Sequence, residues 1–411
     1  MIKYTMTMKK GGGVMNIKLP ERVEYILSTL EAAGYRADIV GGSVRDFLLG
    51  KEPGDYDITT SALPEEVKRV FATERTVDTG IKHGTVTLIL DSVPYEITTY
   101  RFDGEYNDSR HPSSVRFTRR IEDDLMRRDF TANAMAYSAK NGLTDLYGGR
   151  EDLSARLIRA VGDPDTRFSE DALRILRALR FAATLGFDIE SATAKAIFKN
   201  MKLLENVSAE RIYIEWRKLL AGDFAYGILR DFSRVFDEII PPLAPLNLPN
   251  ETEFKKARYT ARMLSLFAIS AENPTAAFEE SARLLRMDNA TCALGITVLS
   301  SVGKFELSSH KGITYALKEI GDVATRELIA LQILLGKADE NSLAILDELL
   351  SCGVVYRLSS LAVNGNDLAS LGAKGRQIGI LLDSLLTMVI EGCVKNERDS
   401  LLIAAKKMLG D

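Results

Sequence analysis

Asp55 and Asp57 stand two residues apart in the stretch GGSVRDFLLGKEPGDYDITT, which spans residues 41–60. In a strand covering 55–60, residues two apart point to the same side, so both carboxylates would project together. Two like charges so close are unfavourable unless a cation neutralises them or water screens them. Oxygen ligands of this kind suit Mg²⁺, which binds one or two carboxylates together with substrate phosphates. The pair therefore predicts a metal site, with an exposed acidic turn as the alternative.

Two glycines, a serine and an arginine precede the acidic pair. Gly41, Gly42 and Ser43 follow a predicted strand and open a predicted helix, whose first turn contains Arg45. Glycine lets the backbone approach a ligand closely, and the free N–H groups of a helix N-terminus attract anions. Arginine is suited to phosphate oxygens. The segment predicts an anion cradle beside the carboxylates, as nucleoside triphosphate chemistry requires; the alternative is a tight turn with Ser43 as helix N-cap.

Glu96, in the predicted strand YEITTYR (95–101), is the candidate for a third carboxylate beside the acidic pair. Three such groups would complete the oxygen-rich environment that a divalent cation needs. The alternative is an exposed glutamate on a strand.

Arg127, Arg128 and Asp129 follow one another in DDLMRRDFTANAMAY, residues 123–137, which also contains Asn133. Two guanidiniums suit phosphate oxygens, and a carboxylate can accept hydrogen bonds from ribose hydroxyls. The stretch therefore predicts a second nucleotide-binding element, with a solvated charge cluster as the alternative.

A predicted helix over 170–182 has one strongly charged face. At about 100° per residue, the apolar residues fall on one side, and the other side holds Glu170, Asp171, Arg174, Arg177 and Arg180. A salt-bridged solvent face is the alternative. The use of arginine at all three basic positions indicates planar hydrogen bonding instead. A guanidinium beside a carboxylate can pair with the edge of a nucleobase, so this face predicts base recognition.

The elements that must position these residues form a mixed head and a helical remainder. The strand-like runs are RADIVGG, DYDITT, HGTVTLIL and YEITTYR, separated by helix-like segments, and strand signals vanish beyond about residue 150. The proline-rich PPLAPLNLP, residues 241–249, is the clearest linker. We predict an α+β protein in which a small α/β head precedes an all-helical region.

Composition bounds the class of protein. The 411 residues are too many for one compact core, and the net charge of −4 does not by itself indicate nucleic-acid binding. Three scattered cysteines and three separated histidines disfavour a zinc site and predict free, buried thiols in a reducing compartment. A secretory signal and a membrane-length apolar run are both missing, so we expect a cytoplasmic protein without membrane association.

Together these motifs resemble the class II CCA-adding enzymes (tRNA nucleotidyltransferases) and the related bacterial poly(A) polymerases, within the DNA polymerase β-like nucleotidyltransferase superfamily. Six motifs run in family order over residues 36–220, and VNGNDLASLGAKGRQIGILL, residues 363–382, resembles the family's tail region. The resemblance implies addition of CTP, CTP and ATP to the 3′ end of tRNA without a nucleic-acid template. It also implies a nucleotidyltransferase head, neck, body and tail, which we place at 16–150, 151–240, 241–350 and 351–411.

Carried over by position, the resemblance also implies residue roles. Asp55 and Asp57 would hold two Mg²⁺ ions, with Glu96 as the third catalytic carboxylate. The implied nucleotide-binding residues are Gly41, Gly42, Ser43, Arg45, Arg127, Arg128, Asp129, Asn133, Asp171, Arg174, Arg177 and Arg180. Among them Asp171 and Arg174 would pair with the incoming base, supported by Arg177 and Arg180.

Several alternatives stay open within and outside this family. A poly(A) polymerase would add adenylate repeatedly, but TVDTGIKHGTVTLIL resembles the CCA-adding form. A CC-adding enzyme would lack the segment at about 102–121, which here is full length and carries Asp103, Arg110 and His111. An A-adding enzyme keeps that segment and so remains possible. A non-catalytic RNA-binding module is the alternative from another class, and nothing in the sequence bears on the oligomeric state.

Overall fold

A computed structural model describes residues 17–103 and 115–410 of the chain. Its contacts divide the chain into two compact units, Met1–Ile239 and Ile240–Asp411. The division falls immediately before the proline-rich stretch that the sequence indicates as a linker. The first unit contains every residue predicted for the chemistry.

The first unit opens with the elements that form the head. In chain order they are α1 (Glu21–Ala32), β1 (Ala37–Val40), α2 (Gly42–Leu48), β2 (Ile58–Thr60), α3 (Pro64–Val70), β3 (Arg75–Gly80), β4 (Thr85–Leu90), β5 (Val93–Thr99), β6 (Arg101–Asp103), β7 (Val115–Phe117), α4 (Ile121–Met126), β8 (Met135–Ser138) and β9 (Gly142–Asp145). Seven of these strands form one sheet in the order β3-β4-β5-β2-β1-β8-β9. The β2–β5 pair is parallel, whereas the other pairs in the sheet are antiparallel.

Local sequence explains much of this sheet. The predicted hairpin turn DSVP joins β4 to β5, with Asp91 and Ser92 at φ +48° and +66°. Positive φ at both central residues matches the twist of a two-residue hairpin. On α1 the apolar residues recur at helical spacing and are buried against the sheet: Val23, Ile26, Leu27 and Leu30. The mixed sheet and the helices around it confirm the predicted α+β class.

Two strand predictions need correction. The expected strand over 55–60 is formed only at Ile58–Thr60, because its neighbour β1 turns away into α2 at Gly41. A single backbone bond, from Val40 N to Asp57 O at 3.0 Å, extends the pairing by one residue. Strands β3, β8 and β9 were not predicted from the sequence; β8 and β9 have only four residues each, too few to show an alternating pattern.

The remainder of the first unit is almost entirely helical. Its elements are α5 (Gly149–Ala155), β10 (Leu157–Ile158), α6 (Pro164–Glu170), α7 (Leu173–Leu185), β11 (Asp188–Ile189), α8 (Ser191–Asn200), α9 (Ala209–Leu220), α10 (Ala225–Asp231) and α11 (Ser233–Ile239). The paired strands β10 and β11 are the exception to the predicted loss of strands beyond residue 150. Helix α7 packs against α9 and α10.

The second unit is helical throughout its described residues. Its helices are α12 (Glu251–Lys256), α13 (Tyr259–Ser270), α14 (Pro274–Leu284), α15 (Asn289–Ser300), α16 (His310–Leu334), α17 (Glu340–Ser351), α18 (Gly365–Ser370), α19 (Arg376–Ile390) and α20 (Arg398–Gly410). The last three helices share an apolar core that includes Leu368, Leu381, Leu385 and Leu401. Among the described residues, we find no helix with the length and apolar character needed to span a membrane.

The cysteines match the sequence prediction in their free thiols but not in their burial. Cys292, Cys352 and Cys393 are free thiols, as their spacing predicts. Cys292 is partly exposed and the other two are exposed, so the prediction that they are buried is wrong. Apolar neighbours in sequence do not determine whether a side chain near the end of a helix is buried.

Candidate active site

The three carboxylates predicted for catalysis lie in the region where β2 begins, and Asp55 and Glu96 act electrostatically on Asp57. The parallel register of β2 and β5 places Asp57, which precedes β2, level with Glu96 in β5. Partial desolvation raises the pKa of Asp57; the positive charge of Arg128 opposes the shift, and the negative charges of Asp55 and Glu96 add to it. All three acidic residues keep exposed surface. A carboxylate such as Asp57, whose ionised form is disfavoured by neighbouring negative charges, is a place where a cation can bind.

The glycine turn after β1 lies directly against an arginine of the predicted nucleotide site. Gly41 has φ +75°, and a β-carbon at this position would lie 3.0 Å from Nη1 of Arg128. Gly41 is also the N-cap of α2, which begins at Gly42. Ser43 therefore lies inside the helix instead of capping it, and its hydroxyl donates to the Val40 carbonyl at 3.2 Å. Both the backbone angle and the close approach require glycine at position 41.

A chain of hydrogen bonds joins α2, the segment after α4, and α7. Nη1 of Arg45 donates to Oδ1 of Asn133 at 2.8 Å, and Nδ2 of Asn133 donates to Oδ1 of Asp129 at 3.2 Å. Nε of Arg177 donates to Oδ2 of Asp129 at 2.8 Å. Burial would raise the pKa of Asp129, but the charge and hydrogen bond of Arg177 and the amide of Asn133 lower it to about 2. Asp129 is thus an ionised carboxylate that Arg177 and Asn133 hold in place.

Arg127 and Arg128 share one buried partner, Asp124 in α4. Nε and Nη2 of Arg127 donate to Oδ1 of Asp124 at 3.0 and 2.7 Å, and Nη2 of Arg128 donates to Oδ2 at 3.2 Å. Asp124 has no exposed surface. The two adjacent arginines are therefore held together and are not a loosely solvated charge cluster.

A break between α6 and α7 overturns the predicted continuous helix over 170–182. Helix α6 ends at Glu170, and Asp171 has extended backbone angles of φ −144° and ψ 101°. The Asp171 carboxylate accepts the backbone N–H of Leu173, the first residue of α7, at 3.1 Å. Aspartate favours this role over a helix interior because its side chain competes for nearby backbone N–H groups. The position assigned to Asp171 on a single helical face was therefore wrong.

Asp171 and Arg174, predicted to recognise the base, lie on the two sides of this break with separate partners. Oδ2 of Asp171 accepts Nη2 of Arg211, in α9, at 2.8 Å. Arg174 donates to Oε2 of Glu170 at 2.6 Å and to the Arg127 carbonyl at 2.9 Å. Arg174 is only 8% exposed, so most of its guanidinium is already committed. Each side chain is thus oriented by a neighbour before any ligand binds.

The two remaining arginines of α7 surround an aromatic ring together with Arg45. The guanidinium of Arg180 lies 3.9 Å from the centroid of the Phe181 ring, and those of Arg45 and Arg177 lie 5.2 and 5.5 Å from it. Arg180 also forms a salt bridge with Glu215 in α9. The faces of an aromatic ring attract cations. Phe181 therefore connects the arginine of α2 to the arginines of α7.

The structure brings together the residues that the motifs predict for nucleotide binding, and it adds four that sequence reasoning missed. These are Asp124, Phe181, Arg211 and Glu215. One of them had a detectable signal, since Asp124 precedes the arginine pair at spacings of three and four along one helix end. The partners of Arg211 and Glu215 lie on other helices, and no spacing within one segment reveals such a pair.

Two further predictions concern the segment at 102–121 and the metal site. Arg110 and His111 of the segment at 102–121 lie outside the described residues. Within the ranges that are described, no group of three or more His, Cys, Asp or Glu side chains is close enough to hold a metal ion by itself. One or two carboxylates are sufficient for Mg²⁺ when substrate phosphates complete its shell, so the acidic residues fit a cation that arrives with a nucleotide.

Comparison with known proteins agrees with the motifs. A family model described as "Poly A polymerase head domain" matches residues 37–159, and one described as "Probable RNA and SrmB- binding site of polymerase A" matches 186–243. The chain is 36% identical to the CCA-adding enzyme of Lactobacillus helveticus over 394 residues, which are 93% of this chain and 97% of that protein.

Solved structures show the same likeness. The Bacillus stearothermophilus CCA-adding enzyme in complex with CTP is 30% identical, with a TM-score of 0.76 over 94% of this chain and 96% of that one. The Thermotoga maritima CCA-adding enzyme complexed with tRNA, at 20% identity and a TM-score of 0.69, shares the fold. Because relatives above 30% identity match nearly the whole length of both chains, this chain belongs to the CCA-adding enzyme family, within the poly(A) polymerase-like nucleotidyltransferases.

Proposed function

We propose that this protein adds CCA to the 3′ end of tRNA, using CTP and ATP and releasing pyrophosphate. The observation that carries the proposal is that the glycine turn at Gly41 lies beside Arg128, whose charge acts on Asp57 together with the charges of Asp55 and Glu96. The relatives named above are CCA-adding enzymes, and the solved neighbours include complexes with CTP and with tRNA. A cytoplasmic location is part of the same proposal.

The triphosphate would bind between the glycine turn and the arginine pair. Gly41, Gly42 and Ser43 would admit the phosphates close to the backbone, and Arg45 and Arg128 would neutralise their charge. Nε of Arg128 is buried without a hydrogen-bond partner in the described part of the chain, so a phosphate oxygen would satisfy a donor that is otherwise unused.

The ribose side of the nucleotide would face the other members of the arginine segment. We propose that Arg127 supports the phosphates and that Asp129 faces the ribose hydroxyls. Asn133 and Arg177 would keep the Asp129 carboxylate oriented through the hydrogen bonds described above.

Nucleotidyltransferases of this family use a divalent metal. We propose two Mg²⁺ ions, held by Asp55 and Asp57, with Glu96 as the third carboxylate. Exposed carboxylates that repel one another fit such hard cations. When bound, the ions would supply activation of the primer 3′-hydroxyl and stabilisation of the departing pyrophosphate. The chain's own residues would supply alignment of the α-phosphate, which accounts for much of the rate in phosphoryl transfer.

Nucleotide choice would depend on the junction of α6 and α7. Asp171 and Arg174 would present a carboxylate and a guanidinium to the edge of cytosine or adenine, with Arg177 and Arg180 in support. Separate roles would then fall to the predicted head (16–150), neck (151–240), body (241–350) and tail (351–411). The head would hold the triphosphate, the neck the base, and the tail the tRNA.

The test uses tRNA transcripts that end at the discriminator base, at C and at CC, each incubated with CTP and ATP together, one of the two being labelled. We expect extension to CCA on all three substrates, followed by arrest. Long adenylate tails would indicate a poly(A) polymerase, and ATP use restricted to the CC-ending transcript would indicate an A-adding enzyme. Either result would contradict the proposal.

A pair of variants tests the catalytic carboxylates within the same assay. Asp55→Ala should abolish nucleotide addition while leaving tRNA binding intact, because it removes a proposed metal ligand and no predicted tRNA contact. Glu52→Ala removes an exposed acidic residue from the same stretch and should remain active. Full activity of Asp55→Ala would refute the metal assignment.

A further inference from the structure

The carboxylate of Asp124 is a partner that the side chains of Arg127 and Arg128 have in common. Asp124 lies on α4, three and four residues before them, so all three side chains gather at the C-terminal end of this helix. One carboxylate oxygen accepts two N–H groups of Arg127 at 3.0 and 2.7 Å, and the other accepts Nη2 of Arg128 at 3.2 Å. Each oxygen thus fixes a different guanidinium.

This carboxylate is ionised despite complete burial. Burial would raise the pKa of Asp124, but the charges and hydrogen bonds of Arg127 and Arg128 hold the pKa below its ordinary value. One negative charge between two positive charges leaves a net charge of +1 on the cluster. The bonds to Asp124 also keep the planar guanidiniums in fixed orientations.

Arg128 also lies against the glycine turn and acts on a proposed catalytic carboxylate. Its Nη2 is bonded to Asp124, while its Nη1 lies where a β-carbon of Gly41 would approach to 3.0 Å. The same guanidinium acts electrostatically on Asp57. Rotation of Arg128 away from Asp124 would therefore disturb the glycine turn and the carboxylates together.

We propose that Asp124 is a positioning residue for nucleotide binding, which holds Arg127 and Arg128 in the orientation that grips the triphosphate. The inference rests on the proposed function, since it takes the ligand of the arginine pair to be a nucleoside triphosphate. CTP and ATP have the same triphosphate, so Asp124 would serve both nucleotides equally and would not contribute to the choice between them.

Asp124→Asn tests the role because it keeps the side-chain shape and removes the charge. We expect the KM values for CTP and for ATP to rise by the same factor, between about tenfold and 100-fold, with the preference for C, C and then A unchanged. Equilibrium binding of CTP in the absence of tRNA should weaken by a similar factor. The matched control is Asp123→Asn, which removes the neighbouring carboxylate whose partner is the Thr118 hydroxyl at 2.7 Å; its KM values should equal those of the unmodified protein.

The outcomes separate three possibilities. Asp124→Asn with unchanged KM values, or with only a smaller fraction of active molecules, would overturn the positioning role in favour of a structural one. A change in the CTP-to-ATP preference would also overturn it. If Asp124→Asn does not fold, Asp124→Glu keeps the charge but displaces it by one methylene, and equal KM values for that variant would count against the proposal. An unmodified protein that adds neither nucleotide would refute the proposed function instead.

Discussion

Glu215 in α9 gives the sharpest test of how the arginines of α7 are held. Its carboxylate forms a salt bridge with Arg180, and the two side chains are only 7% and 14% exposed. Burial lowers the pKa of Arg180, and the charge of Glu215 opposes that shift. Glu215→Leu would leave a buried guanidinium without its counter-charge. Leucine and glutamate have similar helix propensities, so α9 itself should not be weakened.

The magnitude follows from the burial of both partners. Removing one member of a buried ion pair costs about 3–5 kcal/mol, because the remaining charge is desolvated and unpaired. For a cooperative unit of roughly 150–250 residues, 1 kcal/mol corresponds to about 2–4 °C in the unfolding midpoint. We therefore expect Glu215→Leu to lower the midpoint of the first unit by about 6–20 °C.

Trp216 makes the measurement specific to this unit. It is the single tryptophan of the chain, it is 1% exposed, and it is adjacent to Glu215. Thermal unfolding followed by its fluorescence therefore reports on the first unit. The control is Asp91→Asn, which removes an exposed partner of Arg22 at a positive-φ position that asparagine tolerates; an exposed ion pair contributes little to stability, so this variant should unfold close to the unmodified protein.

Two results would refute the reasoning about the buried pair. One is a midpoint shift for Glu215→Leu no larger than that for Asp91→Asn. The other concerns the double variant Glu215→Leu/Arg180→Met, which removes both charges and should recover most of the lost stability. A double variant as unstable as Glu215→Leu alone would show that packing, and not the unpaired charge, determines the loss.

Two further predictions concern single residues of the site. The pKa of Asp129 is about 2 in the folded protein, so its ionised form stabilises the fold by about 2 kcal/mol above about pH 4, and this contribution is lost as the pH falls toward 2. In urea titrations followed by Trp216 fluorescence, Asp129→Asn should therefore be destabilised at pH 6 and approach the unmodified protein at lower pH; a difference independent of pH would contradict this. Alanine at position 41 would have to adopt φ +75°, and its β-carbon would lie 3.0 Å from Nη1 of Arg128. Gly41→Ala should therefore weaken CTP binding at least about tenfold, which is equivalent to about 1.4 kcal/mol of strain and displacement. Unchanged CTP affinity in equilibrium binding would contradict that expectation.

The sequence predicted the parts of the head whose structure is set locally. The turn after β1 was predictable because two glycines follow a β-branched run, and the β4–β5 hairpin because DSVP separates two such runs. The carboxylates and arginines of the motifs were identified by residue type and spacing. Their mutual distances depend on the parallel register of β2 with β5, which joins strands that are more than thirty residues apart.

The failure at Asp171 has a different cause. A helical wheel assumes that every residue in the window is helical, whereas aspartate can accept a backbone N–H and begin a new helix. In this chain the Asp171 carboxylate accepts the N–H of Leu173 at the start of α7 and pairs with Arg211 on α9. The base-reading carboxylate of the proposal is thus placed by a backbone N–H and by a partner from another helix, and neither was visible as periodicity.

The ion pairs of the head and neck explain how a chain with a net charge of −4 can offer a cationic site. Each arginine of the proposed site has an acidic partner: Arg45 pairs with Asp46, Arg127 and Arg128 with Asp124, Arg174 with Glu170, Arg177 with Asp129, and Arg180 with Glu215. Such partners reduce the net charge but fix the directions in which the remaining N–H groups point. Donors oriented in advance need little reorganisation when a phosphate arrives. Lysine, with one rotating ammonium group, could not contact a carboxylate and a phosphate in the same fixed plane. The consistent use of arginine therefore follows from the need to bind an acidic partner within the protein and an anionic ligand at the same time.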